Sequence, residues 1–136
     1  QKLNAMSTEF KNKNVLIVDD SVVRGTTSQQ IVQMARSAGA NKVTFTSAAP
    51  PIRYPHVYGI NMPTRHELIA HNRDINEIEN NLYIDKMIYQ EVDDLKQAIT
   101  KGSKINKLDL SCFTGNYVTG TVTDEYLNWV EKTSLS

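Results

Sequence analysis

The stretch that decides the fold is Val15–Thr27, with the sequence VLIVDDSVVRGTT. It begins with an unbroken apolar run rich in β-branched residues, and this run ends in two carboxylates, Asp19 and Asp20. Such a run predicts a strand buried on both faces, as in a parallel sheet. The serine, glycine and threonines that follow predict a loop, after which a helix begins.

The residues that come next complete a strand–helix–strand unit. One face of the helix has apolar residues at helical spacing, namely Ile31, Met34, Ala35 and Ala38. Gly39 lies where a helix C-cap is expected, and residues 41–48, NKVTFTSA, predict a second strand. This order predicts an α/β fold in which the two strands are parallel neighbours.

Further elements are predicted downstream. Thr64 and Glu67 have the spacing of a capping box before a short helix in HELIAH, and Asp74 with Glu77 repeats that spacing. The other predictions are an extended loop over Pro50–Pro55, a strand over Tyr83–Tyr89, a helix from Asp93 to Lys101 ended by Gly102, strand or loop over Ser111–Val122, and a last helix capped by Thr123.

Composition excludes several classes of protein. A chain of 136 residues fits one domain, and its 15 basic and 15 acidic residues give no net charge, so nucleic-acid binding is not expected. No apolar run approaches the length of a membrane span. A single cysteine, Cys112, cannot form an internal disulfide, and we expect a cytoplasmic protein. Because the sequence begins with Gln1, we also expect a piece of something longer.

The loop after the first strand carries the chemistry. Ligands of open α/β sheets bind beyond the carboxyl ends of the strands, and a helix N-terminus suits a phosphate. Gly25 lets the backbone approach closely, and hydroxyl donors come from Ser21, Thr26 and Thr27. Two carboxylates suit sugar hydroxyls or Mg²⁺ instead. The loop therefore predicts a site for a phosphorylated sugar with Mg²⁺, whereas a plain strand, turn and cap would leave two adjacent acids repelling each other.

Receiver domains of response regulators are one alternative, because they also begin with a strand similar to VLIVDD. They need a phospho-acceptor aspartate at the end of another strand. No aspartate occurs between Asp20 and Asp74, and Asp74 has the context of a helix start. The sequence therefore does not favour a receiver domain.

VLIVDDSVVRGTT resembles the phosphoribosylpyrophosphate (PRPP) signature of type I phosphoribosyltransferases. Together with KLNA, SAAPPIRYPHVYGINMP, ELIAHNR and CFTGNYVTG, it makes nearly the whole chain resemble the glutamine PRPP amidotransferase family. The resemblance implies the C-terminal half of a Rossmann-like type I phosphoribosyltransferase fold, with a parallel sheet flanked by helices. Residues 1–136 would then be the C-terminal portion of that domain, without the glutaminase domain and without the front half of the transferase domain.

That family uses ammonia from glutamine to displace the pyrophosphate of PRPP, giving 5-phosphoribosylamine in the first step of purine synthesis. The resemblance assigns ribose hydroxyls and Mg²⁺ to Asp19 and Asp20. It assigns the 5′-phosphate to Ser21, Val22, Val23, Arg24, Gly25, Thr26 and Thr27. The same loop would hold the phosphate of an inhibitory AMP or GMP, and the full-length enzyme would be a homo-oligomer.

The chain also departs from the family. The glutaminase cysteine and the pyrophosphate loop are not found in it, so no catalytic residue is assigned and the isolated chain is expected to be inactive. Some members hold an iron–sulfur cluster at positions that correspond to His56, Asp109 and Cys112. One cysteine cannot hold such a cluster, so none is expected.

Two readings of function remain open. The chain is part of an amidotransferase, or it is a non-catalytic module of the same fold that binds PRPP or a nucleotide for regulation. Smaller questions also stay open: Arg53 is a solvated loop cation or binds an anion, and Leu68 and Ile69 are core residues or face a route for ammonia. Cys112 is expected to pack as a small hydrophobic residue.

Overall fold

In a computed structural model of the protein, which describes residues 7–134, short strands and helices follow one another along the chain. The strands are β1 (Asn14–Asp19), β2 (Lys42–Ser47) and β3 (Lys86–Tyr89). The helices are α1 (Ser7–Phe10), α2 (Thr26–Ser37), α3 (Ile75–Leu82), α4 (Val92–Thr100), α5 (Ser111–Thr114) and α6 (Asp124–Ser134), and one turn of 3-10 helix spans Arg65–Glu67. None of the helices in this described part is long and apolar enough to cross a membrane.

The three strands form a parallel sheet in the order β1-β2-β3. Ile17 lies opposite Phe45, which in turn lies opposite Met87. The prediction that residues 14–19 and 41–48 contain neighbouring parallel strands is confirmed. Because the strands are parallel, their carboxyl ends lie along one edge of the sheet, where ligands of such folds bind.

Helices α2 and α3 cover one face of the sheet and form the core with it. Phe45 is fully buried there, together with Val32 of α2 and Ile78 and Leu82 of α3. The predicted apolar face of α2 is slightly rotated, because the helix packs through Ser28, Val32 and Ala35. The predicted face residues Ile31 and Met34 are only half-buried.

The opposite face of the sheet is open among the described residues. Leu16 and Val18 of β1 are 60% and 69% exposed, and Ile88 of β3 is 40% exposed. The prediction that β1 is buried on both faces is therefore wrong for this chain, because β1 is an edge strand and α2 and α3 pack on the other face. What remains is an apolar stripe, a feature of surfaces that another protein segment covers.

Several predicted boundaries also change, each for a local reason. Tyr83 has a left-handed backbone with φ 58° as the C-cap of α3, so the third strand begins only at Lys86. Helix α4 begins at Val92, with Glu91 rather than Asp93 as its N-cap residue.

Two further segments are less helical or more helical than predicted. The HELIAH helix is reduced to the single turn at Arg65–Glu67, because Leu68 is already extended with ψ 120°. The strand or loop predicted over Ser111–Val122 begins instead as the short helix α5, which ends at the left-handed Gly115 with φ 75°.

The helix starts predicted at Asp74 and Thr123 are confirmed, because each side chain accepts a hydrogen bond from a backbone amide of the first helical turn. Glu77 N donates to Asp74 Oδ1 and Asp74 N donates to Glu77 Oε2, both at 2.8 Å, which is a complete capping box. Tyr126 N donates to Thr123 Oγ1 at 3.2 Å, so Thr123 caps α6 as predicted.

One ion pair fastens α6 to the rest of the chain. Arg65 donates from its backbone N and from Nε to Glu131 Oε1, at 2.8 and 2.9 Å, and from Nη2 to Glu131 Oε2 at 3.1 Å. Each of the two side chains is 13% exposed. These bonds lower the pKa of the Glu131 carboxyl, the side-chain bond from Arg65 being the largest cause, so the pair stays charged at neutral pH.

We expect Arg65→Ala to lower the free energy of unfolding by about 2–3 kcal/mol at neutral pH, because it leaves the shielded Glu131 carboxylate unpaired. Because the folded-state pKa of Glu131 is lowered, its contribution is present above about pH 4.5 and is lost as the pH falls further. Urea titrations at several pH values check this. Arg24→Ala, which breaks a pair whose side chains are 59% and 46% exposed, is the control and costs less than about 1 kcal/mol. Equal losses in both variants would contradict the prediction.

Candidate functional site

The loop that follows β1 lies at the carboxyl edge of the sheet. Ala48 N donates to Asp19 O and Ala49 N donates to Asp20 O, both at 2.9 Å, so the pairing with the end of β2 continues past the strand. Val22 then turns inward and is 2% exposed. The loop is therefore anchored at its start by backbone bonds and in its middle by a buried side chain.

Gly25 closes the loop and begins α2. Its backbone is left-handed, with φ 80° and ψ −17°. A Cβ atom there would lie 2.6 Å from Ile69 Cδ1, and the neighbouring bond from Ile69 N to Val23 O measures 2.9 Å. Only glycine satisfies both the left-handed backbone and this close approach.

The N-terminus of α2 has no side-chain cap among residues 7–134. Gln29 N donates to Gly25 O at 2.8 Å, which is the first bond of the helix, and none of the described side chains caps the amides of the first turn. Free amides and the positive end of the helix dipole together favour an anion. This is the arrangement that the sequence predicts for a phosphate.

A cleft of about 420 Å³ lies beside this helix end, and we call it the loop cleft. The predicted site residues that line it are Asp19, Ser21, Val23, Arg24, Gly25 and Thr27. Of the others, Val22 is in the core, Asp20 is exposed outside the lining, and Thr26 borders a neighbouring cleft with Arg73. The structure thus brings six of the nine predicted residues to one cavity.

Sequence reasoning missed part of the lining. Ser28 of α2 and the segment Asn61, Met62 and Pro63 also border the loop cleft. Ser28 follows directly after the predicted loop and could have been included with it. The segment at 61–63 is far away in sequence and has no local pattern that reports its position.

Each of the two carboxylates accepts a hydrogen bond from the residue that follows it in the loop. Asp19 Oδ1 accepts from Asp20 N at 2.9 Å, and Asp20 Oδ1 accepts from Ser21 Oγ at 3.4 Å. Within residues 7–134 neither carboxylate forms an ion pair, and no group of three or more histidine, cysteine or acidic side chains could hold a metal. Hard carboxylate oxygens fit Mg²⁺, which keeps several waters. The donor set therefore fits Mg²⁺ held by two carboxylates, water and ligand oxygens.

Comparison with known proteins places this geometry in context. No model of a known protein family matches the chain. It is 57% identical over 129 residues to the amidophosphoribosyltransferase of Pasteurella multocida, covering 94% of this chain and 26% of that protein. It is 52% identical over 132 residues to the amidophosphoribosyltransferase of Saccharomyces cerevisiae, covering 97% of this chain and 26% of that protein.

The chain is related to the amidophosphoribosyltransferases. A solved structure of the glutamine PRPP amidotransferase from B. subtilis complexed with ADP and GMP matches with a TM-score of 0.75 and 38% identity, over 85% of this chain and 26% of that one. A second, described as the allosteric regulatory enzyme of purine biosynthesis, matches with a TM-score of 0.79 and 38% identity, over 94% and 28%. The predicted fold is confirmed, and the chain spans about a quarter of the length of these amidophosphoribosyltransferases.

Three residues that the amidophosphoribosyltransferase resemblance places at cluster positions lie close to one another. His56 Nε2 lies 3.2 Å from Asp109 Oδ2. Ser111, whose backbone N donates to Asp109 Oδ1 at 2.9 Å, and then the neighbouring His56 lower the pKa of Asp109. Burial raises the pKa of the half-buried Cys112 thiol, which keeps it neutral. A histidine–carboxylate contact therefore connects two of these positions.

The other open questions from the sequence are answered by contacts. Arg53 Nη1 donates to Ala70 O and to Arg73 O, both at 2.8 Å, so this guanidinium ties two loop carbonyls together rather than facing solvent. Leu68 is fully buried and Ile69 is 2% exposed, which places both in the interior.

We expect Gly25→Ala to lower the free energy of unfolding by about 2 kcal/mol or more, because a left-handed alanine costs about 1–2 kcal/mol before the contact with Ile69 is added. Gly59→Ala is the matched control: its φ is +102° but a Cβ there meets nothing within 4 Å, so it loses the smaller amount. Ile69→Val removes Cδ1 and should restore part of the loss in Gly25→Ala. Urea unfolding that shows equal losses at both glycines would be inconsistent with this packing.

Proposed function

We propose that this chain is the part of an amidophosphoribosyltransferase that binds the 5′-phosphate and ribose of PRPP. The full-length enzyme would convert PRPP and glutamine-derived ammonia to 5-phosphoribosylamine, pyrophosphate and glutamate. The observation that carries the proposal is the uncapped N-terminus of α2, which opens at Gly25 into a cleft that also holds Asp19. The names of the similar proteins support the same assignment.

The loop offers hydrogen-bond donors to the phosphate of a ribose phosphate and acceptors to its sugar. The first-turn amides of α2 and the hydroxyls of Ser21 and Thr27 are donors, so they suit phosphate oxygens. The Asp19 and Asp20 carboxylates are acceptors, so they suit ribose hydroxyls. Carboxylates beside the ribose would also stabilise the positive charge that develops there as the bond to pyrophosphate breaks. The site would thus bind PRPP in one orientation only.

Asp19 and Asp20 are also the residues that would hold Mg²⁺. When bound there, Mg²⁺ would neutralise part of the negative charge of PRPP. The carboxylates themselves keep the ribose in place through hydrogen bonds.

The proposal extends to the rest of the enzyme. Residues 1–136 would form the C-terminal portion of its phosphoribosyltransferase domain, with the glutaminase domain and the front half of the transferase domain supplied by the remaining chain. The open apolar stripe of Leu16, Val18 and Ile88 would pack against that front half. We further propose a homo-oligomer in the cytoplasm that AMP- or GMP-type nucleotides inhibit at the same loop.

A regulatory module is the second candidate. The relative from B. subtilis is described as complexed with ADP and GMP. A helix N-terminus can bind a nucleotide phosphate without any reaction taking place. In that case the protein would bind PRPP or a nucleotide without turnover. Ammonia-dependent formation of phosphoribosylamine by the full-length protein separates the two candidates.

Replacing both carboxylates, Asp19→Asn with Asp20→Asn, in the full-length enzyme should reduce phosphoribosylamine formation by about 100-fold or more, because ribose and Mg²⁺ lose the two negative charges that bind them. Glutamine hydrolysis should remain chemically possible, because these residues do not touch glutamine. The two activities are measured side by side, with Asp85→Asn, remote from the loop cleft, as the control. Unchanged phosphoribosylamine formation in the double variant would contradict the proposal.

Residues 1–136 on their own should not catalyse the reaction. Holding PRPP at both ends is what lowers the barrier, and the residues of this chain bind only the phosphate and ribose end. The check is ammonia-dependent phosphoribosylamine formation from PRPP and Mg²⁺, with the full-length enzyme as the positive control. Turnover near an ordinary enzymatic rate, about 1 per second or more, would overturn this account.

A further inference from the structure

Arg24 occupies a position that the phosphate loop alone does not explain. It borders the loop cleft and also a second cleft of about 410 Å³ between residues 55–64 and α6. Its Nε donates to Glu67 Oε1 at 3.1 Å. In the described part of the chain this is its only hydrogen bond, so Nη1 and Nη2 keep their donors for a ligand.

The Glu67 side chain is 46% exposed, but two hydrogen bonds from Thr64 hold its carboxylate in place. Its other oxygen, Oε2, accepts from Thr64 N at 2.9 Å and from Thr64 Oγ1 at 3.0 Å. These bonds, the backbone one first, lower the pKa of the Glu67 carboxyl, so it is ionised at neutral pH. One carboxylate oxygen is therefore held by Thr64 while the other faces Arg24.

The turn that carries Glu67 is itself anchored. Arg65, two positions before Glu67 in the same turn, forms the shielded pair with Glu131 of α6 and also donates from Nη1 to Asp124 Oδ1 at 3.2 Å. Arg24 is thus held from a turn that is fastened to a helix. The bond at Nε restricts the orientation of the guanidinium, and this partly preorganises its two terminal nitrogens.

The Arg24–Glu67 pair is poorly suited to a purely stabilising role. Its side chains are 59% and 46% exposed, and exposed pairs contribute little to stability. Arg24 borders both clefts, and Glu67 lines the second cleft beside it, which suits ligand binding instead. We propose that Glu67 is a positioning residue, which holds the Arg24 guanidinium at the loop cleft so that Nη1 and Nη2 meet an anionic group of the ligand.

This inference rests on the proposed function, because it takes PRPP as the ligand. A competing effect has the opposite sign: a carboxylate near an anion site repels the anion, so its removal would tighten binding. The direction of the change in PRPP affinity therefore decides between positioning and repulsion.

The test is Glu67→Gln in the full-length enzyme, because glutamine keeps an acceptor for Thr64 and loses the charge that holds Arg24. We expect the KM for PRPP to rise about three- to fivefold with little change in kcat. Glu77→Gln is the matched control: Glu77 has the same capping-box role with Asp74, and it forms no ion pair within the described residues. Its KM and kcat should equal those of the wild type.

A double-mutant cycle with Arg24→Gln completes the test. If Glu67 acts through Arg24, the double variant has the same KM as Arg24→Gln alone. An unchanged or lower KM in Glu67→Gln, or a further rise in the Arg24→Gln background, overturns the inference while the proposed function stands. Absence of PRPP-dependent activity in the wild type would instead overturn the proposed function.

Discussion

The close approach between the backbone of Gly25 and the side chain of Ile69 determines where the candidate site lies. A left-handed glycine ends the loop after β1 and starts α2 with its amides unblocked. The bond from Ile69 N to Val23 O holds the same two segments together. Any side chain at position 25 would be strained by the left-handed backbone and would require Ile69 Cδ1 to shift.

The parallel sheet positions the start of the loop that Gly25 ends. Parallel pairing of β1 with β2 brings the carboxyl ends of the strands to one edge, and the backbone bonds of Asp19 and Asp20 extend that pairing into the loop. The lining of the loop cleft therefore combines hydroxyl donors, from Ser21 and Thr27, with the carboxylate acceptor of Asp19. The Arg65–Glu131 pair fastens α6 to the turn that carries Glu67. Glu67 in turn holds Arg24 through its carboxylate.

Much of this could be predicted from the sequence, because the deciding signals are local. The apolar run before Asp19, the periodicity of α2 and the two capping boxes each depend on residues a few positions apart. The strand, α2 and the helix start at Asp74 are confirmed, whereas the capping box at Thr64 begins only a single turn. Likewise, VLIVDDSVVRGTT alone indicated the loop, and six of its nine predicted site residues line one cleft.

The remaining features depend on contacts between distant residues. Asn61, Met62 and Pro63 reach the loop cleft only through the path of a loop that has no periodicity. The Arg24–Glu67 contact joins residues 43 positions apart, and no spacing rule relates them. The exposure of Leu16 and Val18 was missed because an apolar run reports that a strand can be buried on both faces, not that both faces are covered within this chain.

The most direct test of the central claim is a crystal structure of the full-length enzyme with ribose 5-phosphate and Mg²⁺. We expect the phosphate within about 3 Å of the backbone amides at residues 25–27, with the ribose hydroxyls on the side of Asp19. A phosphate bound away from the N-terminus of α2, with this loop left without ligand contacts, would contradict that claim.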